Sequence, residues 1–410
     1  MEQSGAAVTE PVPDADATPP LAQPIAYEGT APRPRRRLRR ATVVGWIVGI
    51  GVVALVAVGI GLVHTSAHRE FDAAASELAD AAEIERQAQR SLEGTESIVD
   101  ATLTASEQIV ASAADDLADP AARTALAESG ATASEARDEA SAILENEVDD
   151  ALALKPFWTW ELFAGASDLD QRATVAAADA TDLTGAESAL KDSLDAVSEA
   201  AASLFASTPL ASAALEAANV SARTSVVQDF RDAAADVAQQ TRADSDAAVA
   251  LSVYAARAGT LKESAQQELA EKAGPLLATR LEIEAYARSI SGGVLLDFDW
   301  APFVAGTGGD AGIGGTATWD SARGGSSTIT LSHSVAQWWP SADARALVTH
   351  EVGHSITSKC HALFDSQNPE ANEEWATAWA ISMGHTAEGN GVQAYGYPSQ
   401  AMIDLAATCR

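Results

Sequence analysis

The sequence predicts a mainly α chain. It comprises a disordered N-terminal tail, one transmembrane helix, a long coiled-coil-like helical stalk and a small C-terminal α+β domain. Three observations predict this. Ala41 to Val63 is a run of 23 residues without a charge. From about Ser66 to Ile290, alanine and acids recur with a helical period. At Ser291 the style changes to glycine-rich loops, short apolar runs and histidine, and five of the seven histidines lie beyond that point.

The first part, residues 1–40, is proline-rich and poor in large apolar side chains, so it cannot bury enough surface to fold. It ends in the basic juxtamembrane stretch "RPRRRLRR". As a helix, residues 41–63 reach roughly 34 Å, enough for a hydrocarbon core of about 30 Å. The arginines before it keep the N-terminus cytoplasmic and send the rest of the chain out of the cell. A cleaved secretory signal is the rival reading, with "HTSA" as a weak cleavage site. The apolar run is too long for that, and too many residues precede it.

The chain carries a net charge of −32; residues 1–40 are +1, so the remainder carries −33. An acidic body of this kind repels nucleic acid, which excludes a DNA- or RNA-binding role.

Residues 64–290 read as an extracytoplasmic succession of helices. Phe71, Ala75, Leu78, Ala82, Ile84 and Ala88 are read as one recurring apolar face. Breaks are expected at Gly94, Pro120, Gly130, Pro156, Gly185, Pro209 and Pro275. "KPFWTWELF" places Phe157, Trp158, Trp160 and Phe163 in one turn, which reads as a hydrophobic plug between helix ends. The region contains no titratable constellation and suits a helical partner better than a reaction.

Residues 291–410 form the α+β domain. Val294 to Phe298 predicts a buried strand, and "TATWD" and "SSTITLS" predict two more, joined by "SARGG". Ser341 is an N-cap for an amphipathic helix carrying "VTHEVGHSIT". His350 and His354, at i and i+4, project from one face and are spaced to grip one small cation. Glu351 lies one residue round, placed to work on water rather than to ligate.

A tetrahedral ion needs a third protein ligand. An HExxHxxGxxH pattern fails, because Thr357 and Cys360 stand where glycine and the ligand belong. His361 falls past the helix end and reads as a loop residue. The third candidate is the stretch "NEEWATAWA", Asn372 to Ala380, which carries the neighbouring acids Glu373 and Glu374.

HEVGH followed by NEEWAT resembles the zincin metallopeptidases of the gluzincin, thermolysin-like type, in which HExxH precedes NExxSD by about twenty residues. Asn372 and Glu373 match Asn-Glu, and Glu373 follows His354 by 19 residues. Ala376 and Thr377 stand in place of Ser-Asp, so the acid that orients a ligand histidine in the family is missing.

The resemblance covers roughly 85 residues. It implies a zincin-like domain, Zn2+ held by His350, His354 and Glu373, Glu351 as general base, and a peptide or protein substrate. It also implies a strand ahead of the motif helix that pairs with extended substrate, and "SSTITLSHS" is placed in sequence for that. His385, Tyr395 and Tyr397 have the chemistry to donate a hydrogen bond to an oxyanion.

Cys360 and Cys409, both near the C-terminus, read as a disulfide in an oxidising compartment. The expectation is a single-pass membrane-anchored extracytoplasmic zinc peptidase. The alternative is a non-catalytic metal- or peptide-binding surface protein whose stalk mediates interactions.

Overall fold

The computed structural model describes residues 40–145, 151 and 154–410. The tail expected before Arg40 lies outside the described residues. The chain divides into two compact units, Met1–His68 and Arg69–Arg410.

In the first unit the described residues are helical, as the opening part of α1 (Arg40–Ser112). Val53, Leu55 and their apolar neighbours are exposed, so this stretch has no protein core of its own. Among the described residues it is the one helix long and apolar enough to cross a membrane.

The second unit begins with three long helices: α1 from Arg69 onward, α2 (Pro120–Leu144) and α3 (Thr159–Ala218). Contacts fix their directions. Arg137 meets Asp100 at 3.5 Å, while Gly130 lies against Ser106, so α2 runs antiparallel to α1. Gly165 lies against Phe71 and Ser91 bonds to Glu187 at 2.9 Å, so α3 runs parallel to α1. α4 (Thr224–Ala238) and α5 (Ser245–Glu271) extend the bundle, with Phe230 stacked on buried Tyr254. Alanines fill much of the seam, and Leu126, Val197, Phe205, Phe230 and Leu251 supply its larger side chains.

Helix starts follow their caps. Asp119 accepts from the Ala121 amide at 2.9 Å ahead of Pro120, and Asp244 accepts from Ala247 at 2.9 Å.

Several expected breaks are absent. α1 runs through Gly94, α2 through Gly130, and α3 through both Gly185 and Pro209. An interior glycine costs a helix only about 1 kcal/mol, which packing overrides. Pro209 deprives the Phe205 carbonyl of its usual partner, and the Thr208 hydroxyl takes that carbonyl at 2.8 Å. The helix therefore crosses the proline without an orphaned acceptor.

The aromatic plug is also corrected. Phe157, Trp158 and Trp160 are 73%, 53% and 65% exposed, and the first turns of α3 bury Leu162 and Ala166 instead. The seam follows the i, i+4 spacing of those two residues, which leaves the rings outside it.

The C-terminal core is built on a three-stranded sheet. β1 (Leu295–Ala301) is parallel to β3 (Ser326–Ser332), and β2 (Gly315–Asp320) is antiparallel to β3, giving the order β1-β3-β2. Ser327, Ile329 and Leu331 face inward with period two. β3 is thus the central strand with both edges in use. It cannot offer its main chain to an extended peptide, as "SSTITLSHS" was expected to do; β2 is the edge strand on the side of the motif helix.

α7 (His333–Trp338), α8 (Ala342–Cys360), α9 (Pro369–Ser382), α10 (Val392–Tyr395) and α11 (Gln400–Ala406) complete the chain. Packing carries this core back into α6 (Leu277–Ile290), whose Ile283 and Ala287 join Phe298, Ile329 and Val352.

Polar contacts tie sheet to bundle. Asp297 accepts from both the amide and the hydroxyl of Thr224, at 2.7 and 2.9 Å. Buried Glu284 collects Lys272 at 3.1 Å, Arg288 at 3.4 Å and the Trp300 indole N–H at 3.2 Å.

Candidate metal centre

α8 starts at the cap Ser341, whose hydroxyl accepts from the Ala344 amide at 3.2 Å, and it is buried along most of its length. α9 crosses it closely at Gly353. A Cβ there would stand 2.9 Å from Ala376 Cα and 3.0 Å from its carbonyl oxygen. The indole N–H of Trp375 donates to the Gly353 carbonyl at 3.1 Å. The glycine of HEVGH and the Trp-Ala of NEEWA are therefore one contact, and it brings Glu373 over the two histidines.

Three ligand atoms converge. His350 Nε2 and His354 Nε2 are 3.1 Å apart, and each is 3.2 Å from Glu373 Oε2. This is the group of described residues able to hold a metal ion.

The opposite ring nitrogens fix the tautomers. His350 Nδ1 stands 2.9 Å from the Asn390 carbonyl, so it carries the proton and donates. His354 Nδ1 stands 2.8 Å from Asn372 Oδ1. The Asn372 amide nitrogen donates to the Ser366 carbonyl at 3.2 Å, which fixes its oxygen toward the ring. In neutral imidazoles both Nε2 atoms are then lone pairs, facing each other and a carboxylate oxygen. Such a triangle is repulsive without a cation inside it.

The spacing fits a small divalent ion. Bonds of roughly 2.0–2.1 Å at tetrahedral angles place ligand atoms roughly 3.3–3.4 Å apart, close to the observed edges, with one position left open.

Protonation follows from the same contacts. Burial disfavours the Glu373 anion, but His350 and His354 outweigh it and hold the carboxyl down to about 2. Burial works against charged His354, yet Glu373, Glu351 and Asn372 raise its pKa above the ordinary 6.5. A proton thus substitutes for the ion when none is bound.

Glu351 is buried, and its Oε2 has no hydrogen-bond partner among the described residues. Burial pushes its carboxyl above the ordinary range, against the pull of His350 and His354. Gly315, at the head of β2, makes room for it: a Cβ there would lie 2.5 Å from Glu351 Oε1.

The other sequence candidates separate. Glu374 turns away and accepts from the Ser399 amide at 3.1 Å, at the start of α11. Tyr395 lies in the site, its ring parallel to His350 at 6.0 Å; burial and the Glu373 and Glu351 carboxylates raise its phenol pKa. His385 is held elsewhere, 3.0 Å from the Tyr286 hydroxyl, which also meets Thr349 at 2.7 Å. Tyr397 is exposed. His361 follows α8 in a 3-10 turn and stacks on Trp319.

Two contributors were not read from the sequence. The Asn390 carbonyl orients His350, while Thr377 Oγ1 reaches the same nitrogen at only 3.4 Å. Gly391 lets the turn approach, because a Cβ there would lie 2.6 Å from Thr377 Oγ1 and 2.7 Å from His350 Cε1. Its φ of +96° suits glycine as well. A main-chain acceptor leaves no residue type to search for, and Gly389 and Gly391 were the only trace of the turn.

Cys360 and Cys409 stand at disulfide distance, with Cα atoms 6.4 Å apart. The Trp379 indole donates to the Cys409 carbonyl at 2.9 Å, so the C-terminus is held to both α8 and α9.

No family model, curated protein or solved structure matches this chain.

Proposed function

We propose that the chain is a zinc-dependent peptidase anchored by residues 41–63, with its N-terminus cytoplasmic and its C-terminal domain outside the cell. The observation that carries this reading is the triangle of His350 Nε2, His354 Nε2 and Glu373 Oε2, beside a buried carboxylate with an unpartnered oxygen. Two imidazoles and one carboxylate, with an open fourth position, are the donor set of hydrolytic zinc.

Zinc bound there supplies Lewis-acid polarisation of a carbonyl. The chain supplies the rest. Glu351, whose carboxyl burial pushes above its ordinary range, takes a proton from the attacking water and passes it to the leaving amine. Tyr395, stacked on His350, is placed to donate a hydrogen bond to the developing oxyanion. The β2 edge strand, beside Glu351 at Gly315, offers main-chain groups to an extended peptide. Disulfide distance between Cys360 and Cys409 agrees with an oxidising compartment.

A peptide-library digest with the full chain and its Glu351→Gln variant tests this function. The wild type is expected to cleave; the variant keeps its zinc and loses cleavage by about 100-fold or more. Equal cleavage by both forms, or none by a zinc-loaded wild type, sinks the peptidase reading. The second result leaves a binding protein in its place.

A further inference from the structure

One side of β2 is open. The Ser332 amide donates to the Gly314 carbonyl at 2.9 Å, and the register continues as Gly315↔Leu331 and Thr316↔Thr330. Hydrogen-bonded and non-hydrogen-bonded pairs alternate in an antiparallel ladder, so Thr316 and Thr318 spend their main-chain groups on β3. Those of Gly315, Ala317 and Trp319 point away from β3, along the free edge of the sheet. The strand, GTATWD, carries no proline or lysine, the usual guards of such an edge.

The same three residues turn one face toward α8. They are half-buried, whereas Thr316, Thr318 and Asp320 are exposed. Gly315 lies against Glu351, and Ala317 packs on the C-terminal core. Trp319 belongs neither to that core nor to the half-buried side chains packed on it, and its neighbour across the ladder is the small Ser327. Its ring partner is His361, just beyond the end of α8, at 6.1 Å with planes 15° apart. The His361 ring is exposed, and its Nδ1 donates to the Ser358 carbonyl at 3.3 Å, which holds it in place.

Four residues of strand rise about 13 Å, so Trp319 stands that far along the free edge from Gly315 and the carboxylate beside it. A peptide added to the edge extends the ladder. Residues directly opposite in a ladder project to the same face. The peptide residue opposite Trp319 therefore sends its side chain toward the indole and the imidazole. Two stacked rings with an open flank suit a third ring, because aromatic contacts gain more than the area they bury.

We infer that Trp319 and His361 form a subsite for an aromatic side chain of the substrate, about four residues along the peptide from the bond that is cut. This rests on the peptidase reading above. It narrows the substrate class to extended peptides that carry Phe, Tyr or Trp at that distance.

Sequencing the product termini from a randomised peptide library cut by the full chain tests this. Phe, Tyr and Trp are expected to be enriched about 5–10-fold at one position, about four residues from the cut. Trp319→Phe should keep the enrichment, and Trp319→Ala should lose it. His361→Ala, on the exposed half of the pair, should lower it about 2-fold or more, and gives the reading should Trp319→Ala lose its helicity.

Cleavage with no aromatic preference at that distance overturns the inference and leaves the peptidase standing. A preference that survives in helical Trp319→Ala and His361→Ala variants also overturns it, because another surface then reads the ring. No cleavage by the zinc-loaded wild type removes the peptidase reading, and the subsite with it.

Discussion

At the scale of single residues, the centre is set by where protons sit. Asn390 and Asn372 each fix one ring nitrogen as a donor, which turns the other toward Glu373 as a lone pair. Sequence made the ligands legible, since HExxH and a downstream Asn-Glu are spacing signals. It hid the Asn390 carbonyl, because any residue type has one. Gly391→Ala is expected to push the turn off His350 and weaken zinc binding about 10–100-fold, measured by competition with a chromophoric chelator. Unchanged affinity would remove Asn390 from the account.

The same residues predict a pH dependence. Metal-free, raised His354 stabilises the fold below its unfolded value of 6.5, and that contribution is lost as pH rises through its higher folded value. Lowered Glu373 contributes above its unfolded value of 4.5 and is lost as pH falls toward about 2. A metal ion held by His350, His354 and Glu373 would take the place of the proton that leaves His354. The increase in thermal midpoint on adding zinc should therefore grow from about pH 5 to about pH 8. A flat or falling increment across that range contradicts the arrangement.

At the scale of elements, local sequence signals decided starts better than stops. Asp119-Pro120, Asp244 and Ser341 begin helices by satisfying amides that any helix exposes. Glycine and proline predicted breaks that packing overrode, at Pro209 with help from Thr208. The strands were legible from period-two burial, but their order was not. Only the register Phe298↔Ile329 and Ala317↔Ile329 shows β3 to be central. Glu284 joins α5, α6 and β1 through Lys272, Arg288 and Trp300. Glu284→Ala leaves buried Lys272 with less compensation and is expected to cost about 3–5 kcal/mol, measured by chemical unfolding. A cost below about 1 kcal/mol would mean that the network is not what joins them.

At the scale of the whole molecule, one apolar helix, an acidic helical bundle and a small buried metal-type site occupy a single chain. Composition suggested that division, whereas the contacts divide the chain only between His68 and Arg69 and keep the bundle and the C-terminal core in one compact unit. The packing of α6 into the C-terminal core was not legible, since its alanine-rich sequence reads like the bundle before it.

The full chain purified in detergent, with zinc content measured per chain, tests the central claim. Wild type and Glu351→Gln should each hold one zinc, and His350→Ala, His354→Ala and Glu373→Ala should each lose it while keeping wild-type helicity. A folded wild type that binds no divalent ion, or a Glu373→Ala variant that binds zinc as tightly as the wild type, contradicts it.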